Sequence, residues 1–534
     1  MRSVNYEPLT PISFLRRSAA VYGHKTAVVH NETRYTYIQL HQRVNRLASA
    51  LSRLGLGKGE KVAFLCPNIP PMLEAHFGVP LAGGVLVSIN IRLSPREISY
   101  ILNHSDSRVL FVDSEFAGIV EQIKGEIPNI KTIVNILDGA AEKPLDGPDY
   151  EEFLLTGDPQ PFPCPIEDEL DNITINYTSG TTGLPKGVMY SHRGAYLNAV
   201  GEIMENGMTS DSVYLWTLPM FHCNGWCFTW AVVAIGGINV CLRKVVPEEI
   251  YRLVEEEGVS HLCAAPTVLI AMAGYRKARE CKMKTTLNVI TAGAPPAPTV
   301  IKNMESIGAV VTHVYGLTEV YGPHSICEWQ REWDSLDADE KAKIKARQGV
   351  AYINAEFMTV MSTSDMSEVP ADGATMGEIV MRGNNVMLGY YKQPGESEEA
   401  FRGGWFHSGD LAVKHPNGYV EIKDRMKDII ISGGENISTV EVENVIYQHP
   451  DVMEVAVVAV PDPKWGEVPK AFVVLKPGAS ATAEDIINFC RNHIARFKIP
   501  KHIEFGDLPK TSTGKIMKYR LREKEWKGYD KRIN

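Results

Sequence analysis

Most of the chain alternates between two hydrophobic periodicities. "YIQLHQRVNRLASALSRLG" sets apolar residues at helical spacing and ends in Gly, and "KVAFLC" after it is a short continuous apolar run. The first pattern means a helix with one buried stripe, the second a strand covered on both faces. "PPMLEAHFGVPLAGG" then reads as a helix, and "GVLVSI", "RVLFVD" and "TIVNIL" read as further strands. A second series follows with helical patterns between its members: "SVYLWTLP", "NVCLRKV", "HLCAAP", "LNVITAG" and "AVVTHVYG". Such alternation predicts an α/β fold of mostly parallel sheets layered with helices.

The texture changes twice. "DGAAEKPLDGPDYEEFLLTGDPQPFPCPIEDELDN" is rich in Pro and acidic residues and predicts a surface connector. After about Phe357 the pattern turns to β-hairpins, "GEIVMRG" and "GWFHSGDLAVKHPNGYVEIKDR", with Asn417-Gly418 as a tight turn. Beyond "KDRMKDIIISGGEN" come the strands "VAVVAVPD" and "KAFVVLK" and the helix "AEDIINFCRNHIA". The expected organisation is a large N-terminal domain over 1–424 with a β-rich subdomain, a hinge at 425–427, and a small mobile α+β domain over 428–534.

Composition narrows the classes. A chain of 534 residues can bury several cores. Its net charge of −9 argues against nucleic acid as a partner, which would leave a basic footprint. Nine dispersed Cys predict reduced thiols rather than a disulfide framework. The N-terminal stretch lacks the apolar core of a signal peptide, and "DKRIN" at the other end is no peroxisomal or prenylation signal. Residues 226–242, "WCFTWAVVAIGGINVCL", are short for a membrane span and carry a Gly-Gly break, so they read as a buried core segment. The expectation is a cytoplasmic protein without a membrane span; the sequence is compatible with a homodimer but specifies no assembly.

The densest chemistry lies in "YTSGTTGLPKGVMYSH". A Walker loop ends in Gly-Lys followed by Ser or Thr, whereas Lys186 is followed by Gly187, so that motif fails. What remains is a hydroxyl-rich loop: Thr178, Ser179, Thr181 and Thr182 supply donors, Gly180 and Gly183 allow close backbone approach, and Lys186 supplies charge for phosphates. His222 with Cys223 and Cys227 invites a zinc reading, but no second Cys/His pair stands at ligand spacing. No acidic residue in "HCNGWCFTW" stands ready to pair a substrate ammonium.

That stretch closely resembles the signature of the adenylate-forming superfamily, which holds acyl-CoA synthetases, luciferases and peptide-synthetase adenylation domains. "LPMFHCNGW", "TAGAPPA", "VYGLTE", "GWFHSGDL", "KDRMKDIIISGGENIS" and "LPKTSTGKIMKYRLRE" follow in the family's order, so the resemblance covers nearly the whole chain. It implies an AMP-forming acyl-CoA synthetase using ATP, Mg²⁺ and coenzyme A, and acting on a short- or medium-chain fatty acid or an aryl acid. Delivery to a carrier protein is the alternative acceptor, and a non-catalytic ATP-binding scaffold the remaining one.

The resemblance assigns roles by position. Lys515 matches the catalytic lysine that bridges carboxylate and α-phosphate, and His222 the residue at the acyl–adenylate junction. Glu319 matches the magnesium ligand, with Thr178 opposite. Gly293, Ala294, Pro295, Tyr315 and Gly316 would line the adenine, Thr318 the α-phosphate, and Asp410 and Arg425 the ribose. Lys427 matches the hinge, and Gly433 and Gly434 would leave room for pantetheine. Asn224, Trp226, Trp230, Val320 and Tyr321 are the expected acyl-pocket residues.

Overall fold

The protein is described by a computed structural model over residues 4–140, 143–178, 184–294, 296–511 and 514–529. Two large sheets form its body. The seven-stranded one runs in the order Gly389–Tyr390, Lys186–Ser191, Asn172–Thr178, Val85–Ser88, Lys61–Leu65, Ser107–Asp113 and Thr132–Ile136. Its continuous apolar strands pair in parallel, and only the Asn172–Thr178, Lys186–Ser191 and Gly389–Tyr390 edge is antiparallel. The nine-stranded sheet is likewise parallel at its centre, through Leu287–Thr291, His261–Ala264, Val213–Leu215 and Ile238–Val240. The α/β expectation therefore holds.

Helices fill the space between these sheets, and one core runs through both. Pro70–Leu81 is buried on every side, as a helix with apolar residues all round must be. Residues 226–242 form the buried helix Phe228–Ala234 and the strand Ile238–Val240. Among the described residues no helix is long and apolar enough to cross a membrane. The acid-rich stretch departs from expectation. It contains the helix Tyr150–Leu155, capped by Asp149 and Glu152, and that helix buries Tyr150, Phe153 and Leu154 in the main core.

Two smaller sheets complete the chain. The hairpin region is a four-stranded antiparallel sheet of Phe357–Met361, Met376–Arg382, Phe406–Lys414 and Val420–Arg425, with Gly418 at positive φ in the expected turn. The last sheet joins Val452–Asp462, Gly466–Leu475, Ile430–Ser432, Glu435–Ile437 and His502–Phe505, with its own core against the helices Thr439–Ile446 and Ala483–Arg491. Ser438 caps the first of these helices by accepting from the Glu441 N–H. Asp424, on the last strand of the four-stranded sheet, clasps this unit by accepting from the Thr439 N–H (2.5 Å) and Oγ1 (2.8 Å).

Candidate active site

The hydroxyl-rich loop joins the two strands of a hairpin. Thr178 and Lys186 are register partners at its base, on Asn172–Thr178 and Lys186–Ser191. Ser179, Gly180, Thr181, Thr182 and Gly183 lie outside the described residues. The Lys186 ammonium sits 4.8 Å from the Tyr390 ring centroid and pairs with the Glu396 carboxylate. Tyr390 in turn donates from its hydroxyl to Glu319 Oε1 (3.0 Å). Glu319 lies on the short turn Thr318–Val320, and burial pushes its carboxyl above the usual range. A buried carboxylate with one neutral donor gains from a nearby cation.

Tyr315 and Gly316 end the long strand Ala309–Leu317, which folds back antiparallel on Gly322–Ile326. Gly316 is required there, because a Cβ would stand 1.6 Å from the Gly322 carbonyl oxygen. The Tyr315 hydroxyl donates to Asp410 Oδ2 (2.7 Å), and Arg425 Nε lies 3.1 Å from Asp410 Oδ1. Asp410 and Arg425 face one another across adjacent strands, so pairing in the sheet fixes that contact. Gly293 is exposed with φ 92°, and Ala294 is half-buried beside it; Pro295 lies outside the described residues.

Lys515 comes to this cluster from the far end of the chain. Its ammonium is pushed down to about 7, first by the neighbouring Arg425 guanidinium, then by burial, with Lys427 adding to it and Asp410 and Asp428 opposing. His222 feels the same charge: burial foremost, and Lys515 with it, bring its imidazole down to about 4, so it is neutral at pH 7. Gly514 makes the approach possible, since a Cβ there would stand 2.1 Å from Thr267 Oγ1.

Beyond His222 the backbone does something that periodicity could not reveal. Cys223, Asn224, Gly225, Trp226 and Cys227 all have positive φ, from 44° to 64°. A left-handed turn strains each non-glycine residue in it and persists only where its surroundings hold it. Asn224 is the clamp. Its Oδ1 accepts from Thr174 Oγ1 (2.5 Å) and Asn176 Nδ2 (2.6 Å), and its N–H donates to Asn176 Oδ1 (3.2 Å). His76 Nδ1 donates to the Met72 carbonyl (2.7 Å), which leaves Nε2 to accept from Asn224 Nδ2 (2.9 Å). Cys223 Sγ meanwhile lies 3.3 Å from Thr318 Oγ1.

A family model described as "AMP-binding enzyme" matches residues 15–391, and one described as "AMP-binding enzyme C-terminal domain" matches residues 441–515. The chain belongs to the AMP-binding enzyme family. It is 51% identical to a 4-hydroxybutyrate–CoA ligase of Metallosphaera sedula, over 97% of this chain and 94% of that one. It is 48% identical to a peroxisomal acetate/butyrate–CoA ligase of Arabidopsis thaliana, over 97% and 95%. Its fold matches the crystal structure of an anthranilate CoA ligase in complex with anthranoyl-AMP, with TM-score 0.87, 25% identity, and 98% and 99% coverage.

In this AMP-binding enzyme the remaining sequence candidates divide into two groups. Trp226 lies against Gly322, and Val320 and Tyr321 are fully buried next to Glu319. Tyr321 also stacks on Tyr190 at 3.9 Å and accepts from the Ser191 N–H (2.6 Å). Asn224 and Trp230 are fully buried: Asn224 carries the clamp, and the Trp230 indole donates to the His76 carbonyl (3.1 Å). Lys427 lies beside Arg425, and burial lowers its ammonium to about 8. Gly433 and Gly434 form the positive-φ tip of the Ile430–Ser432/Glu435–Ile437 hairpin, with Gly433 under the Trp465 ring. Sequence reasoning missed Tyr390, whose link between Lys186 and Glu319 arises only from the sheet edge, and His76, hidden in a uniformly apolar helix.

Proposed function

We propose that this chain is an ATP-dependent acid–thiol ligase that joins a short- to medium-chain carboxylic acid to coenzyme A through an acyl-adenylate. One observation carries the reading. Lys515, borne on the C-terminal unit, lies within electrostatic reach of Asp410 and His222 of the larger one and of Arg425 at the junction between them. A carboxylate is a poor acyl donor because oxide would have to leave. When its oxygen attacks the α-phosphorus of ATP, a new P–O bond forms, the bridge to the β-phosphate breaks, and pyrophosphate departs with the electron pair. The coenzyme A sulfur then attacks the acyl carbon and AMP departs.

The residues suit these steps. Two anions must be held together, and the Lys515 ammonium placed between carboxylate and α-phosphate offsets their repulsion and the charge growing at phosphorus. Asp410, oriented by Tyr315 and Arg425, accepts from the ribose diol. Gly293, Ala294 and the Tyr315 ring flank the adenine, and Lys186 with the loop hydroxyls holds the outer phosphates. Neutral His222 orients the carboxylate without adding charge. Thr178 and Glu319 would hold a magnesium ion, which takes few protein ligands and otherwise phosphate and water oxygens; such an ion would offset the charge of the triphosphate. Trp226, Val320 and Tyr321 wall the acyl group. Residues 425–427 act as the hinge on which 428–534 turns, bringing Gly433 and Gly434 to the thiol path. Relatives named for 4-hydroxybutyrate and for acetate and butyrate favour a short acid, and scattered free thiols fit the cytoplasm.

The test is CoA-dependent AMP release from ATP and Mg²⁺ across straight-chain acids from acetate to hexadecanoate and aryl acids such as benzoate. A clear optimum with stoichiometric acyl-CoA is expected. Acid-dependent ATP–pyrophosphate exchange without thioester would move the acceptor to a carrier protein, and silence in both assays would refute the reading.

A further inference from the structure

The two units meet at a contact that none of the proposed reaction steps uses. Asp424, on the last strand of the four-stranded sheet, is buried with both carboxylate oxygens engaged. Its Oδ1 accepts from the Arg425 N–H (2.8 Å). Its Oδ2 accepts twice from Thr439, from the N–H (2.5 Å) and from the hydroxyl (2.8 Å). The Lys423 carbonyl, one residue earlier, accepts from the Ser438 hydroxyl. The start of the helix Thr439–Ile446 is thus tied to the end of the Val420–Arg425 strand.

The Thr439 hydroxyl has a second partner. While it donates to Asp424, it accepts from Lys518 Nζ (2.7 Å). Lys518 opens the helix Lys518–Glu525, three residues beyond Lys515. Its ammonium is held a second time by Glu443 Oε1 (2.7 Å), which also accepts from the Val457 N–H (2.6 Å). One turn further along, Arg522 pairs with Asp428. A single fully buried oxygen therefore joins the segment that carries Lys515 to the larger unit.

Lys515 needs such a hold. Repulsion from Arg425 and Lys427 works against keeping its ammonium where it lies. Gly514 packs against Thr267 of the larger unit, which sets how near the segment comes but forms no directional bond. The chain from Lys518 through Thr439 to Asp424 supplies direction. It has an ammonium at one end and a carboxylate at the other, and charge-assisted bonds are about twice as strong as neutral ones. Its burial strengthens it further, because each bond polarises the next where water does not compete.

We propose that Thr439 and Lys518 are positioning residues for Lys515, and that through Asp424 they hold the C-terminal unit in the orientation of the first half-reaction. The proposal rests on the ligase reading and on the hinge at 425–427. Asp424 stands on the fixed side of that hinge, and Thr439 and Lys518 on the turning side. When 428–534 turns, the bonds from Thr439 to Asp424 part, whereas the Lys518–Glu443 pair travels with the unit. The contact thus stabilises one orientation only, and weakening it shifts the balance toward the other.

The experiment measures the half-reactions separately, with whichever acid of the panel the wild type turns over fastest. Acid-dependent ATP–pyrophosphate exchange reads the first, and thioester formation from the preformed acyl-adenylate reads the second. Thr439→Val keeps the volume and the N–H bond to Asp424 and removes only the shared oxygen. It should lower exchange by about ten-fold, the scale for losing one bond to a charged group, while the thioester step is unchanged or faster. Thr439→Ser keeps the oxygen and should restore exchange. Asp424→Asn keeps the shape and removes the charge; it should lower exchange in the same selective way, and it reports even if Thr439→Val fails to fold. Equal loss in both half-reactions, or exchange that neither Thr439→Val nor Asp424→Asn alters, overturns the positioning role and leaves the ligase reading intact. A wild type that turns over no acid refutes the ligase reading and this proposal with it.

Discussion

At the proposed nucleotide end of the site Lys515, Arg425 and Lys427 crowd one another around Asp410 and Asp428, until the Lys515 ammonium is brought down to about 7. At the proposed acyl end the groups that hold the backbone are neutral: the 223–227 turn is held by Asn224, a neutral His76, Thr174 and Asn176. Both ends store unfavourable free energy, in different forms. The first stores electrostatic repulsion, which an anion relieves on binding. The second stores backbone strain, which no ligand relieves and which the hydrogen-bonded clamp must hold throughout. On the proposed function the nucleotide end is thus poised to change and the acyl end to stay, as expected of a site where one anion must be gripped and another group kept in place.

The contrast is most sharply tested by Lys515→Ala. Adenylation, followed by acid-dependent ATP–pyrophosphate exchange, should fall by about 10²–10³-fold, the scale for losing one preorganised charge at a transition state. Thioester formation from preformed acyl-adenylate should largely survive, because that step no longer involves pyrophosphate. Equal loss in both half-reactions would end the assignment of Lys515 to phosphoryl transfer.

The acyl end should fail differently. Asn224→Ala strands several buried donors and acceptors at once and releases a strained turn. A stability loss of about 3 kcal/mol is expected in chemical denaturation, since each orphaned buried group costs about 1–3 kcal/mol and the losses overlap. Fluorescent-nucleotide binding by the fraction that remains folded should change little. A stability change within about 0.5 kcal/mol, the range of ordinary surface substitutions, would show that the turn does not depend on its clamp.

The same contrast separates what is legible in the sequence from what is not. The sheets are legible, because strands buried on both faces spell short apolar runs. The helix Tyr150–Leu155 is not, because its three core residues are diluted by neighbouring acid and Pro. At the proposed nucleotide end Asp410 and Arg425 are marked only by the resemblance of their strings to the family's motifs, and strand pairing makes them neighbours. At the proposed acyl end the clamp that Asn224 makes is not legible, because apolar periodicity carries no information on the sign of φ. Tyr390 has no local signal; it gains its meaning from chain 71 residues away, at Glu319.

Electrostatic repulsion at Lys515 also fixes a pH dependence that the neutral end cannot produce. Below about pH 7 the ammonium is protonated in the free enzyme; above it the proton is lost. Bound phosphates favour the charged form and raise its pKa, so above pH 7 ATP binding should take up a proton. Its affinity should fall as pH rises, by at most about ten-fold per unit. Calorimetry in buffers of different ionisation enthalpy would measure the uptake at pH 8, and proton release on binding would contradict this sign. Lys515→Ala should abolish that uptake.

The smallest effect lies at Lys186, whose ammonium is paired with Glu396. Glu396 is 54% exposed, and such pairs contribute about 0.2–1 kcal/mol. Incoming phosphates must compete with it for the same ammonium. Glu396→Gln removes the competitor but leaves Lys186 over the Tyr390 ring, so the KM for ATP should fall by up to about five-fold. Exposed charges are screened by salt, so the effect should shrink between about 10 mM and 0.5 M ionic strength. A KM that rises instead would mean that Glu396 positions Lys186 rather than competing for it. The nucleotide end would then be held partly as the acyl end is, by a contact that persists when the ligand arrives.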